Sequence, residues 1–207
     1  MTKISLNWRL IESYELDDLK KFKRLLILGA SPNVPSYVDK WEESLLTRSI
    51  FEGKNPYAIL LIDAGANLYD KLYRSSIIHA VVFQTNYELL RYLYKKFSKA
   101  ELEIYDILGP PIFKVIFVKD HNTLQLLIDL GADVNATSDP QVGYGDTVLN
   151  NAILNSDVVS VRMLLESGAD PNKPGNMGRT AFDRANEIEG QIGQEINTLL
   201  LQWTKST

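Results

Sequence analysis

Few residues in this chain of 207 residues could carry catalysis. It has two histidines, His79 and His121, and no cysteine, which excludes thiolate chemistry, disulfides and cysteine-bound zinc. The sequence also lacks a phosphate-binding G-x-x-x-x-G-K-S/T loop, a G-x-S-x-G nucleophile turn and an H-E-x-x-H zinc helix. The acidic clusters at 17–18 and 101–103 are typical of helix starts and solvated edges. We therefore expect no catalytic residue, no metal site and no cofactor.

Composition limits the class of partner. Hydrophobic residues make up 45% of the chain and charged residues 23%, as in an ordinary globular protein, and the formal charge is −4. A nucleic-acid ligand calls for a basic stripe, so this balance favours a basic or neutral protein partner. No apolar run approaches the roughly 18 residues of a membrane span, and the N-terminus lacks the apolar core of a secretion signal. We expect a cytoplasmic protein that binds neither nucleic acid nor a membrane.

A short motif recurs along the chain and indicates the elements that would position binding residues. It is a Gly-Ala step after a leucine-rich helix end, and glycine just past a helix can take the left-handed conformation that stops it. Its copies begin at Gly29, Gly65, Gly131 and Gly168, at intervals of 36, 66 and 37 residues. The middle interval holds two periods, because a degenerate helix end without Gly-Ala occurs at 90–96.

The stretch 145–172 carries the clearest copy of the whole unit. It opens on Gly145-x-Thr147, has a small residue at Ala152 and closes on the segment 168–172, Gly-Ala-Asp-Pro-Asn. This unit resembles an ankyrin repeat, whose period is about 33 residues. A further opening of the same kind occurs at 176–185.

The resemblance implies an all-α fold, an ankyrin-repeat solenoid of about six helix–turn–helix units with short hairpin or loop fingers. We expect residues 1–207 to form a single ankyrin-repeat domain. Its repeats would span about 3–34, 35–68, 69–104, 105–137, 142–173 and 175–207.

The pattern also predicts local features of the helices. Asn7 is a plausible N-cap for the first helix, Asp17 or Asp18 caps the second, and Pro56 suits the first turn of a helix, where an amide hydrogen is not needed. An irregular junction is expected at 98–109. The resemblance places His79 on the family's T-P-L-H histidine, which bonds to backbone of an adjacent repeat, and His121 is expected in a turn without a function.

The resemblance also implies where a partner would bind. The family grips partners with hairpin tips and with exposed positions near the end of each first helix, on the concave side. Aligned on Ser44, Ser76, Pro110 and Thr147, these helix positions are Phe51, Phe83, Phe117 and Leu154. The hairpin positions three residues before each reference are Trp41, Tyr73, Ile107 and Tyr144. A neighbouring polar rim would consist of Glu43, Glu52, Gln84, Asp106, Asp146, Asn155 and Arg179.

Two interpretations of these aromatic positions remain open. Aromatic anchors are the commonest hot spots of protein interfaces. Alternatively, the rings pack against the neighbouring repeat and belong to the core.

The function implied by the resemblance is a non-enzymatic module that binds another protein on its concave face, as an inhibitor or immunity protein would. The formal charge of −4 favours a basic partner for it. A secreted effector or adaptor that acts in a host cell is the second hypothesis. An enzyme is the third; it would need a deep pocket with converging polar groups of shifted pKa, whereas the sequence predicts a shallow groove.

Overall fold

A computed structural model describes residues 3–38, 41–70, 75–102, 109–138 and 145–206 of the chain. The chain divides into two compact units, Met1–Leu93 and Tyr94–Thr207, called the first and the second unit below. Each is built from pairs of helices joined by tight turns, as the sequence predicts. The expectation of a single domain stays a prediction.

The first unit contains helix pairs separated by short antiparallel hairpins. Its helices are α1 (Lys3–Glu15), α2 (Leu19–Ile27), α3 (Leu45–Phe51), α4 (Asn55–Asp63), α5 (Ile77–Phe83) and α6 (Tyr87–Lys96), the last residues of α6 falling in the second unit. The hairpins are β1 (Pro35–Val38) with β2 (Trp41–Ser44), and β3 (Tyr69–Asp70) with β4 (Ser75–Ser76). The fingers predicted between repeats are therefore present here.

The second unit continues the pattern. Its helices are α7 (Lys99–Leu102), α8 (Pro111–Val118), α9 (His121–Asp129), α10 (Val148–Leu154), α11 (Val158–Glu166), α12 (Ala181–Asn186) and α13 (Gly190–Ser206), with a 3₁₀ turn at Asn176–Gly178. The short helix α7 occupies the start of the junction that the sequence marks as irregular. A bridge between Thr137 and Thr147 brings together the residues that flank the segment 139–144.

The motif glycines end the second helix of their repeats, as predicted. Gly29, Gly65, Gly131 and Gly168 have φ values of 95°, 84°, 86° and 90°. The amide of the alanine after each glycine donates to a carbonyl five residues earlier, as from Ala169 to Leu164 at 2.9 Å. This bond closes the helix end and directs the chain to the next repeat.

Replacing Gly168 with alanine should therefore cost about 1–2 kcal/mol of folding free energy. A Cβ at this position would meet nothing within 4 Å, so the cost comes from the left-handed backbone alone. Urea unfolding of the variant measures it, with Glu166→Ala on the exposed end of α11 as the control. A change no larger than that of the control would contradict the assignment.

The core lies between the helices of successive repeats. In the first unit Tyr14, Phe22 and Tyr57 pack ring against ring, with centroids of Phe22 and Tyr57 4.9 Å apart in an edge-on arrangement. Aromatic pairs of this geometry add to the free energy of burial. These rings join the first two repeats, α1 and α2 to α4.

One prediction about local structure is wrong and two are confirmed. Helix α1 begins at Lys3, and the Asn7 side chain does not cap it; its Oδ1 accepts a 2.8 Å bond from the Ser31 amide. Asp18 caps α2 by accepting from the Lys21 amide, and Pro56 lies in the first turn of α4, both as predicted.

Candidate functional site

The reference residues used to align the repeats are structurally equivalent. Ser44, Ser76, Pro110 and Thr147 are the N-caps of α3, α5, α8 and α10. The seventh residue after each N-cap ends its helix, or precedes the last residue in α8. We call these seventh residues, Phe51, Phe83, Phe117 and Leu154, the helix-end set.

The side chains of the helix-end set are exposed to solvent. Their exposed fractions are 36%, 58%, 69% and 42%, in chain order. The residue before each one, by contrast, is buried: Ile50, Val82, Ile116 and Ile153. A step of one residue turns about 100° around a helix, so the helix-end set faces away from the core. These exposed fractions favour the interface interpretation of the helix-end set over the core interpretation.

In the first unit, charged groups surround the start of this set. Arg48 bonds to both oxygens of Glu15, at 2.5 and 3.1 Å, and to Glu52 at 2.6 Å. Glu52 also accepts from the Tyr14 hydroxyl at 2.9 Å, and Lys54 lies 4.3 Å from the Tyr14 ring centroid. Burial raises the pKa of Glu52, but the bonds from Arg48 and Tyr14 lower it more, so the carboxylate stays charged. Glu52 thus holds the first two repeats together in addition to any role at the surface.

A groove of about 500 Å³ lies beside this network. Its wall includes Trp8, which is 71% exposed, together with Ile11 and Val34. Arg48 and Glu15 lie at its polar side. The residues that line this groove come from α1, β1 and α3, which are distant in sequence, so no local sequence pattern indicates it.

In the second unit, the helix-end set is continued by another apolar side chain. Val118, next to Phe117, is 53% exposed. The Asn155 Nδ2 atom donates a 3.3 Å bond to the Ile116 carbonyl, which joins the end of α10 to the end of α8. We call Phe117, Val118 and Leu154 the second-unit patch.

One residue expected in the polar rim is not at the surface. Asp146 is only 4% exposed, and its Oδ2 atom lies 2.6 Å from Nη2 of Arg184. Its Oδ1 atom accepts from Asn150 Nδ2 at 2.6 Å and from the Asn176 amide at 3.3 Å. The expectation of a rim role for Asp146 was wrong, since the carboxylate is used to join the last two repeats.

The structure describes some of the other predicted rim and hairpin residues and not the rest. Glu43 and Gln84 are half-buried, and Arg179 is exposed and paired with Glu187. Trp41 pairs with Val38 through the strand register of β1 and β2. The remaining predicted positions, Tyr73, Asp106, Ile107 and Tyr144, lie outside the described residues.

His121 does not lie where the sequence predicted, and the role of His79 between repeats stays a prediction. His79 is buried, and its Nδ1 atom lies 3.3 Å from the Ser76 carbonyl oxygen of its own repeat. His121 is not in a turn but begins α9, and its Nε2 atom lies 3.0 Å from both oxygens of Asp157, the N-cap of α11. His121 and Asp157 thus link two successive repeats.

Asp157→Asn should lower the free energy of unfolding by about 1 kcal/mol at pH 7. Burial raises the pKa of Asp157, but bonds from Ser160 and His121 lower it more, to below its usual value. Asparagine still caps a helix, so the variant removes the charge and keeps the cap. A depressed folded-state pKa gives stability that is present above the unfolded-state pKa, about 3.9, and is lost as pH falls through the folded value.

Urea unfolding of both proteins between pH 7 and about pH 3 measures this difference. The gap between wild type and variant should narrow as the pH falls below about 4. A gap that does not change with pH would contradict a charge interaction at Asp157.

Neither a membrane-spanning helix nor a cluster of metal ligands occurs among the described residues. No helix in this part of the chain is long and apolar enough to cross a membrane. No group of three or more potential metal-ligating side chains occurs in it either.

Solved structures resemble this chain over most of its length. EF0377, an ankyrin repeat protein, is 25% identical, with a TM-score of 0.69 over 95% of this chain and 98% of its own. An ankyrin repeat domain from Acinetobacter baumannii is 23% identical, with a TM-score of 0.73 over 94% of this chain and 97% of its own. The human ASB11 ankyrin repeat domain is 23% identical, with a TM-score of 0.65 over 87% of this chain and 77% of its own. No protein-family model matches the chain.

Ankyrin-repeat folds are generally non-catalytic interaction modules, so the likeness supports a protein–protein interaction module. The chain has the ankyrin-repeat fold.

Proposed function

We propose that this chain binds another protein through the helix-end set. The resemblance places these residues on the concave side of the repeats. The hairpin positions Trp41, Tyr73, Ile107 and Tyr144 would extend this surface. The rim would consist of Glu43, Glu52, Gln84, Asn155 and Arg179, with Asp106 as an untested further member.

One observation carries the proposal. Four large apolar side chains occupy the same position in four repeats, and all four are exposed. Exposed apolar residues are common singly, but their repetition at one structural position is not required by repeat packing. Burial of such side chains by a partner is the usual source of binding energy at interfaces.

The specific role that we propose is inhibition by occupancy, in which the chain covers a functional surface of its partner as an inhibitor or immunity protein does. The formal charge of −4 favours a partner that is basic overall. A secreted effector or adaptor would use the same surface in a host cell. The origin of the partner distinguishes the two roles.

The experiment is affinity capture from the cells that make the chain, and from host cells in parallel, followed by mass spectrometry. A stoichiometric partner is then added to the purified chain and amide hydrogen exchange is compared with and without it. We expect slower exchange at the ends of α3, α5, α8 and α10.

The ends of the second helices, α2 and α11, serve as the internal comparison. Protection confined to those second helices would refute the proposed surface. Capture from host cells alone would favour the effector or adaptor over the inhibitor.

A further inference from the structure

The groove of about 500 Å³ in the first unit lies outside the helix-end set, and we call it the Trp8 groove. Helix α1 supplies Trp8 and Ile11 to its lining. Val34 and Pro35, at the start of the hairpin, line it as well. Its volume lies within the range of pockets that bind small groups, roughly 300–1,000 Å³.

The first repeat lacks an apolar residue at the helix-end position. In five repeats a left-handed residue follows the first helix, and its amide donates to a carbonyl three residues earlier; these residues are Asp17, Gly53, Thr85, Lys119 and Ser156. The helix-end set lies two residues before the last four of them. The equivalent residue before Asp17 is Glu15, a carboxylate bonded to Arg48. The series of exposed apolar helix ends therefore does not extend to the first repeat.

The first repeat has an exposed tryptophan on this face of α1 instead. Trp8 lies seven residues before Glu15 on the same face of the helix, at the position of the N-caps in the other four repeats. Because α1 begins at Lys3, Trp8 is inside a helix and does not cap it. Its side chain is 71% exposed and so contributes little to the core. Tryptophan is enriched among the residues that dominate binding energy at interfaces.

The lining of the Trp8 groove favours an uncharged occupant. Glu15 and Arg48, the charged residues of the described lining, pair with each other at 2.5 and 3.1 Å. The Asn7 Oδ1 atom accepts from the Ser31 amide, and the Ser36 Oγ atom accepts from Arg48 at 3.1 Å. A charged group that entered the groove would lose water without gaining a counter-ion of its own.

The apolar part of the lining favours an aromatic ring over an aliphatic side chain. The indole of Trp8 is mostly exposed, and Ile11 and Pro35 beside it are half-buried. Contact between two aromatic rings adds to the effect of buried area, by about two- to tenfold in affinity. A ring that stacks on Trp8 gains this increment, and a leucine side chain does not.

The Trp8 groove is continuous with the surface proposed for the partner. Arg48, in its lining, and Phe51, the first member of the helix-end set, are three residues apart on α3 and lie on the same face. Their separation along the helix is about 4.5 Å. A partner that covers Phe51 therefore reaches the groove with a neighbouring side chain. This favours a side chain of the partner over a free small molecule as the occupant.

We propose that the Trp8 groove binds an uncharged aromatic side chain of the protein partner, which stacks on the Trp8 indole. The proposal rests on the proposed function and adds an anchor in the first repeat, where the helix-end position is polar. It also names the chemistry of the partner residue that this anchor receives.

A capped amino acid, N-acetyl-phenylalaninamide, serves as the probe for the groove. It is added to the full chain, and the indole N–H signals of Trp8, Trp41 and Trp203 are followed by heteronuclear NMR. We expect a saturable shift of the Trp8 signal with a dissociation constant of about 1–10 mM, the range for a fragment of this size. N-acetyl-leucinamide should bind at least about twofold more weakly. N-acetyl-lysinamide and the amide of N-acetyl-glutamic acid should give no saturable shift.

Variants of the chain locate the binding. Trp8→Ala should abolish saturable binding of the probe, followed through the probe's own NMR signals, and Trp8→Phe should retain it within about threefold. Ile27→Ala is the matched control, because it removes a side chain of similar exposure, 76% against 71%, from α2. A captured partner should bind Trp8→Ala at least about tenfold more weakly and Ile27→Ala within about twofold. Both side chains are mostly in water, so both variants should fold as wild type does.

Four results would each overturn the proposal. They are the absence of a saturable Trp8 shift, binding of the leucine or charged controls as tight as that of the probe, binding of the probe to Trp8→Ala, and unchanged partner affinity for Trp8→Ala.

Failure of this proposal can be separated from failure of the proposed function. If a captured partner binds Trp8→Ala as well as wild type but loses affinity for the Phe83→Ala, Phe117→Ala variant, the groove is wrong and the proposed surface stands. If it binds both variants as well as wild type, the proposed surface is wrong too. If it loses affinity for Trp8→Ala alone, the groove is supported and the helix-end set is not.

Discussion

Asp146→Ala is expected to lower the free energy of unfolding by about 3–5 kcal/mol. The substitution removes the nearer of two carboxylates paired with the Arg184 guanidinium, Asp146 at 2.6 Å, and leaves Glu187 at 3.1 Å. The Arg184 side chain is only 12% exposed. In the wild type, burial lowers the pKa of Arg184, but Glu187 and Asp146 raise it more. The guanidinium stays charged in the variant because arginine does not lose its proton in proteins. Asn150 loses its bond to the carboxylate as well. Urea unfolding of wild type and variant measures the loss.

Two further variants separate the buried pair from a surface pair. Asp146→Ala combined with Arg184→Leu should recover much of the lost stability, because no unpaired charge remains buried. Arg179→Ala breaks an exposed pair with Glu187 and should cost less than about 1 kcal/mol. If Asp146→Ala lowers the free energy of unfolding no more than Arg179→Ala does, the buried pair of Asp146 and Arg184 contributes little to stability.

The second large effect is expected in binding. Phe83→Ala with Phe117→Ala should weaken the partner about 100-fold, because each ring that a partner buries contributes at least about 1.4 kcal/mol, a factor of about ten. The same substitutions should change folding little, since 58% and 69% of these side chains are already exposed to water. Loss of affinity without loss of stability is the signature of an interface residue.

Features set by local interactions could be predicted from the sequence. The predicted N-cap Asp18 accepts a bond from the Lys21 amide, and Gly168 takes the left-handed conformation that its position requires. Each of these depends on neighbours within one turn of the chain. The repeats could be aligned on four reference residues: Ser44, Ser76, Pro110 and Thr147. The exposed residue seven positions later could therefore be identified in each repeat.

Features set by long-range pairing could not be predicted. Asp146 has the sequence position of a finger residue, and only its contact with Arg184, 38 residues later, shows that it is buried. His121 has the position of a turn residue, yet it bonds to Asp157 in the next repeat. Both contacts join residues about one repeat length apart, 38 and 36 residues, so neighbours within one turn of the chain do not reveal them.

The predicted cap of the first helix was wrong for a different reason. Asn7 is a good capping residue by type, but α1 already begins at Lys3, so Asn7 lies inside the helix and serves the Ser31 amide.

The most direct test of the central claim is to measure partner affinity and melting temperature side by side for the Phe83→Ala, Phe117→Ala variant. The control is Ile27→Ala with Leu201→Ala, which removes exposed apolar side chains outside the helix-end set. We predict a loss of affinity of about 100-fold with a melting temperature within about 2 °C of wild type for the test variant, and unchanged affinity for the control. Unchanged affinity for the test variant, or a fall in its melting temperature of about 10 °C, would contradict the assignment of these rings to a protein-binding surface.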